Sequence, residues 1–385
     1  MLKKVLTLGQ LCSNQLKVFP SQYIIRTLRR LYCSKEAKSI YPKRIFSGIQ
    51  PTGTVHLGNY LGAIKGWVNL QNAGEDVIYS IVDMHSITLT QKPLELKENI
   101  IKLTATLLAC GIDPKKSILF QQSVIPMHAE LSWIFSCLVT MPRLARQPQY
   151  KEKSETLKDV PLGLYIYPVL QTADILLYKA THVPVGEDQV QHIQLAEHLA
   201  QKFNSTFGKT FPMPISIVNR DAGRIKSLKD PEVKMSKSCT NVKSRIDLTD
   251  TPDDILIKVK KAITDFTSEV TFDPENRPGI ANLINIHSML IDKTPEEICQ
   301  DAKGLDTGKY KLLLADIVIE KLNPIRKEIE AYLSEPEYLH QLLQEGARKA
   351  ESIAVPNWLE VRNKVGFGID TLSINLSSKR SQAIR

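Results

Sequence analysis

The segment Arg44-Ile45-Phe46-Ser47-Gly48-Ile49-Gln50-Pro51-Thr52-Gly53-Thr54-Val55-His56-Leu57-Gly58-Asn59 changes character in its middle. Residues 44–50 read as a buried strand that enters a Pro-Thr-Gly turn. A helix follows from about Gly58 to Leu70. Strand, turn and helix in that order form the first half of a βαβ unit.

Working outward, Asp76-Val77-Ile78-Tyr79-Ser80-Ile81-Val82-Asp83 is an almost unbroken apolar run. Such a run marks a strand covered on both faces. Residues 93–110 read as a helix, with Pro93 at its start and Gly111 at its stop. Ser117 to Ser123 is a third strand. Strands alternating with helices predict a parallel sheet of Rossmann-like α/β type. Its ligand site should lie outside the carboxyl ends of the strands.

From about Thr251 the pattern changes. Thr251-Pro252-Asp253-Asp254 is a helix start: a cap, Pro in the first turn, then acids at the positive end of the dipole. Helical segments dominate to about Lys364, and no convincing strand interrupts them. The 385 residues therefore divide into an α/β domain over 43–245 and a mainly α-helical one over 246–368. Residues 369–385 are polar and read as a disordered tail. No stretch approaches the ~20 apolar residues of a membrane span.

The net charge of +9 is unevenly placed. Residues 1–38 carry eight Lys or Arg against one acid, Glu36, a balance of +7. A basic, acid-poor start is the composition of a mitochondrial transit peptide. Val5, Leu8, Cys12, Leu16 and Phe19 add an apolar face at helical spacing. The expected leader is 1–32, with cleavage after Tyr32 and a mitochondrial-matrix destination. The six cysteines form no C-x-x-C pair, so no zinc site and no redox dithiol is expected.

Two short stretches carry chemistry. His56-Leu57-Gly58-Asn59 opens a helix after the first strand. A helix start offers free N–H groups to an anion, and Gly58 lets a ligand approach the backbone. Lys234-Met235-Ser236-Lys237-Ser238 sets two lysines three apart in a loop, a cationic clamp suited to a departing pyrophosphate.

Together the two resemble the HIGH and KMSKS signatures of class I aminoacyl-tRNA synthetases. Residues 46–53, 81–86, 151–154, 173–178 and 185–189 are similar to the tryptophanyl-tRNA synthetase family, and the likeness runs from about Arg44 to Phe367. The spacing Tyr167-x-x-x-Gln171-x-x-Asp174 also resembles the substrate-hydroxyl site of the tyrosyl enzymes. A tyrosine-specific synthetase and a non-catalytic RNA-binding descendant therefore stay as alternatives. Two positions depart from the family pattern: Cys239, where Asp is usual, and Gln171, where Met is usual.

The resemblance implies roles. Gln50, His56, Leu57, Gly58 and Asn59 would contact ATP from the first turn. Gly186, Glu187 and Asp188 would hold the adenosine, and Ile225 would lie near adenine. Lys234, Met235, Ser236, Lys237 and Ser238 would close over the triphosphate. His56, Lys153, Lys234 and Lys237 would be the catalytic charges. The tryptophan pocket would be built by Phe46, Val82, His85, Tyr167, Gln171, Asp174, Val183, Val185 and Gln189. Asp174 is singled out because a carboxylate in an apolar run needs a partner, and the indole N–H can be one. The resemblance implies ATP with Mg2+ as a substrate complex, L-tryptophan and tRNA(Trp) as partners, no dedicated protein metal site, a homodimer, and a tRNA anticodon-binding role for 246–368.

Overall fold

The computed structural model describes residues 40–147, 159–218, 223, 225–237 and 239–368. The leader over 1–32, the tail over 369–385, Lys153 and Ser238 lie outside them. The described residues from Lys43 to Gly368 form one compact unit.

Five parallel strands make the sheet, in the order β3-β2-β1-β4-β5. β1 is Ile45–Ile49, β2 Val77–Ile81, β3 Ile118–Gln121, β4 His182–Val185 and β5 Ile215–Val218. The first three stand where the apolar runs place them. β4 and β5 carry no comparable signal in the sequence. Each has four residues, β4 contains Pro184, and β5 is an edge strand with Ile215 exposed. Neither gives an alternation or a long buried run.

The helix expected from about Gly58 begins as α1 (Leu57–Asn59) and passes through a π-helical stretch, Tyr60–Ile64, into α2 (Lys65–Asn72). The short α3 is Asp83–Ser86, and α4 spans Pro93–Ala109. After β3 come α5 (Met127–Leu138), α6 (Met141–Leu144) and α7 (Leu162–Leu177). Between β4 and β5 runs α8 (Val190–Phe207).

Strand side chains alternate between faces, and the core divides accordingly. Ile45, Tyr79 and Leu119 face one apolar cluster with Ile64 and Trp67. Phe46, Ile78 and Phe120 face the other, with Leu131, Val169 and Phe203.

Beyond the sheet come the helices α9 (Pro252–Lys260), α10 (Pro278–Ile291), α11 (Pro295–Asp301), α12 (Thr307–Leu333) and α13 (Pro336–Val365). The Thr251 cap is present as a capping box with Asp254. Tyr310, Leu314 and Leu322 of α12 join the first cluster, while Ala350 and Trp358 of α13 join the second. At Gly346 a Cβ would stand 1.7 Å from the Leu119 carbonyl oxygen, so the α13 backbone lies directly on β3. The last helix therefore returns to the sheet that begins the chain.

Candidate active site

β1 has β2 on one side and β4 on the other, so the connections leaving it run in opposite directions across the sheet. This is the topological switch point, where a crevice opens outside the strand ends. A cavity of about 600 Å³ occupies it.

One lip is built by the turn after β1. His56 caps α1 with extended backbone, and its Nδ1 accepts the Asn59 amide at 3.3 Å. Its own backbone N–H donates to Asn59 Oδ1 at 3.3 Å. The turn is anchored from far along the chain: Leu57 N–H donates to the Ile246 carbonyl at 2.8 Å, and Leu248 N–H to the Val55 carbonyl at 3.0 Å. Burial, then the charges of Lys237, Arg245 and Lys234, lower the His56 pKa to about 3. The ring is therefore neutral at physiological pH. With Nδ1 accepting, the proton sits on Nε2, which makes that atom a donor.

The lysine loop closes this lip. Lys226 and Lys234 pair across an antiparallel bridge, and Met235 N–H donates to the Ile225 carbonyl at 3.2 Å. Met235 is buried against the His56 turn: a Cβ at Gly58 would lie 3.6 Å from the Met235 Cβ and 3.1 Å from the His56 ring. Gly58 thus makes room for the histidine as well as for a ligand. Burial lowers the Lys237 pKa to about 8; nearby Asp247 opposes the shift and Arg245 adds to it. Arg245 Nε is itself paired with Asp247 Oδ1 at 3.0 Å.

The opposite end is built around Asp174, in the last turn of α7 and 1% exposed. It is not a helix cap. Gln122 Nε2 and His128 Nδ1 each donate to its Oδ1 at 2.7 Å, and His85 Nε2 donates to Oδ2 at 2.7 Å. Burial raises the Asp174 pKa, but the hydrogen bonds and charges of His128 and His85 outweigh it. The carboxyl is held below the usual carboxylate range. Phe46 stands beside this cluster and stacks on Tyr178, with ring centroids 5.6 Å apart.

Between the two ends lies the loop after β4. Gly186 precedes a 3₁₀ turn, Glu187–Gln189, and a Cβ there would stand 2.7 Å from Asp188 Oδ1. His192 Nδ1 lies 3.0 Å from Gln171 Oε1 and 2.9 Å from Gln189 Oε1, while its Nε2 lies 3.3 Å from the Tyr167 hydroxyl. Burial, with a smaller contribution from Asp188, raises the Tyr167 pKa.

The cavity wall gathers most of the residues expected from sequence. Gln50, His56, Gly58, Asn59, Gly186, Asp188, Ile225, Lys234 and Met235 line it, as do Phe46, Val82, His85, Tyr167, Gln171, Asp174, Val183, Val185 and Gln189. Leu57, Glu187, Ser236 and Lys237 do not: Leu57 turns into the core, and Glu187 is exposed on its turn. The sequence reading missed Ser47, Gly48, Pro184 and Ile217, and also Gly62, Ala63, Gly66, Trp67 and Leu70. The last five follow Asn59 at steps of three and four. That helical periodicity was the signal available for them.

The family of class I tRNA synthetases for tryptophan and tyrosine (W and Y) matches residues 39–323. A tryptophan–tRNA ligase of Caldanaerobacter subterraneus subsp. tengcongensis is 46% identical, across 84% of this chain and 98% of that protein. A mitochondrial tryptophan–tRNA ligase of Caenorhabditis elegans is 44% identical, across 86% of this chain and 92% of that one. Among solved structures, the Mycoplasma pneumoniae tryptophanyl-tRNA synthetase superposes with a TM-score of 0.78 at 31% identity, covering 86% of this chain and 100% of that one. The Campylobacter jejuni enzyme, solved with ADP and tryptophan, gives 0.74 at 33% identity, covering 84% and 99%. With a switch-point cavity, both signature motifs around it and relatives matched over nearly their full length, this chain belongs to the tryptophanyl-tRNA synthetase family of class I aminoacyl-tRNA synthetases.

Proposed function

We infer that this protein is a tryptophan–tRNA ligase, which activates L-tryptophan with ATP and transfers it to tRNA(Trp). The observation that carries the reading is one cavity with two unlike ends. At one end Asp174 offers an acceptor; at the other the neutral His56 and Lys234 offer donors. Asp174 Oδ1 already takes two donors and Oδ2 only one. A carboxylate oxygen has about two lone-pair positions, so Oδ2 keeps one for the indole N–H.

The tryptophan carboxylate attacks the α-phosphorus in line. Tryptophanyl-adenylate forms and pyrophosphate leaves toward His56, Lys234 and Lys237. The terminal ribose hydroxyl of the tRNA then attacks the acyl carbon and releases AMP. Neither step needs a covalent enzyme intermediate; positioning and charge carry the rate. Mg2+ enters with the nucleotide and keeps most of its waters. In this reading Gly186, Glu187 and Asp188 hold the adenosine, and Lys153, Ser236 and Ser238 complete the triphosphate clamp.

Residues 246–368 serve as the tRNA anticodon-binding part. The protein acts as a homodimer, supported by exposed apolar side chains near α5 and α7: Trp133 (68% exposed), Ile87 (61%) and Leu162 (69%). Sedimentation as a monomer would count against that. A mitochondrial-matrix location is supported by the acid-poor segment 1–38 and by the Caenorhabditis elegans relative. Recovery of organelle-purified protein with Met1 retained would count against import.

ATP–pyrophosphate exchange with each of the twenty amino acids tests the central reading. Tryptophan should drive exchange, and tyrosine should be poorer by at least ~100-fold, because Phe46 leaves its hydroxyl half-satisfied in a buried site. Equal exchange with tyrosine would overturn it.

A further inference from the structure

We propose that His128 is a positioning residue for tryptophan recognition: it holds the Asp174 carboxylate in the one orientation that presents Oδ2 to the substrate. The inference rests on the reading of Asp174 as the indole N–H acceptor and extends it to a residue that does not line the cavity.

His128 is 0% exposed, at the second position of α5. Its Nδ1 lies 2.7 Å from Asp174 Oδ1, and its Nε2 lies 2.9 Å from the Tyr178 hydroxyl. An ionised carboxylate only accepts, so Nδ1 must carry the proton. Nε2 meets the Tyr178 hydroxyl, a group that can donate or accept. A continuous chain of hydrogen bonds therefore links Tyr178 through His128 to Asp174. Stacking fixes the ring as well: Phe120 lies nearly parallel to it at 5.9 Å, and Tyr178 is tilted against it at 5.5 Å.

Gln122 completes the arrangement. Its Nε2 donates to the same Oδ1, while its Oε1 accepts the Met84 amide at 3.1 Å. Met84 adjoins His85, whose Nε2 takes one position on Oδ2. With both lone-pair positions of Oδ1 filled by protein donors, the carboxylate cannot rotate without breaking two buried bonds. The free position is confined to Oδ2. Partners that orient a site residue in this way fix its geometry without touching the substrate.

The test is a pair of substitutions that differ only in which ring nitrogen they imitate. The amide nitrogen of His128→Asn falls near the place of Nδ1 and still donates to Asp174. That of His128→Gln falls near Nε2, and its bond to Asp174 is lost. The Michaelis constant for tryptophan should stay within about threefold of native in His128→Asn and rise about tenfold or more in His128→Gln, the scale of one lost hydrogen bond to a charged group. The constant for ATP should hold in both. Equal tryptophan constants in the two variants, or a parallel rise for ATP in His128→Gln, would overturn the proposal and leave His128 a packing residue. A tryptophan analogue with sulfur in place of the ring N–H separates the two layers of the argument. If the native enzyme does not discriminate against it, the reading of Asp174 fails. If native discriminates and both variants do so equally, only the role of His128 fails.

Discussion

The two ends of the cavity are built on opposite principles. Around Asp174 every protein donor has its acceptor in place: three hydrogen bonds of 2.7 Å converge on a carboxylate sealed from water. Around His56 positive charge predominates, and Asp247 offsets it only in part, through its ion pair with Arg245. Lys234, Lys237 and Arg245 all act to lower the histidine pKa, and Lys237 is itself lowered to about 8. The first end is finished before substrate arrives. The second is a concentration of positive charge that a triphosphate relieves, most of all as negative charge builds on the leaving pyrophosphate. The end that must select one side chain is rigid, and the end that must stabilise a fleeting charge stays incomplete.

Three substitutions or conditions probe that contrast. The largest effect on stability belongs to Asp174→Ala. It strands two buried histidines and a glutamine amide, and loss of one member of a buried charged cluster costs about 3–5 kcal/mol. Urea unfolding should show that loss, with tryptophan selectivity lost alongside; an unchanged midpoint would mean that the cradle is not preformed. Acid should act on the same cradle. Because the folded Asp174 pKa is depressed, its contribution to stability is complete above the ordinary carboxylate range and is lost as pH falls toward the folded value. The native unfolding midpoint should therefore fall more steeply below about pH 4 than that of Asp174→Ala, and parallel curves would break the comparison.

A smaller effect belongs to the lip. Lys237 is charged below about 8 and neutral above it, whereas His56 stays neutral down to about 3. The efficiency of ATP use, kcat/KM, should fall as pH rises through about 8 and show no histidine limb near neutrality. A limb near the ordinary histidine value would mean that His56 acts as a cation.

The sequence reveals the lip more fully than the cradle, for a physical reason. A loop that grips phosphate uses adjacent residues, so His56-Leu57-Gly58-Asn59 and Lys234-Met235-Ser236-Lys237 are visible as short runs. The cradle is assembled from residues 85, 122, 128 and 174, whose side chains meet only when α3, the turn after β3, α5 and α7 pack. Asp174 could be noticed as a carboxylate in an apolar run. Nothing local marks Gln122 or His128 as its partners. In the same way β1, β2 and β3 announce themselves by apolar runs, while β4 is interrupted by Pro184 and β5 is exposed at the edge. The return of α13 to β3 depends on Gly346, a residue with no local signature on a long helix.

The most direct test of the account is single-turnover adenylate formation by Lys237→Ala, measured beside equilibrium ATP binding. In this account the lip acts on the transition state. Adenylate formation should therefore slow by ~100-fold or more, the scale of one lost transition-state donor. ATP affinity should change far less, and the unfolding midpoint should not fall. An equal loss in rate and in ATP affinity would contradict the account, because Lys237 would then serve to bind the nucleotide rather than to stabilise its departing pyrophosphate.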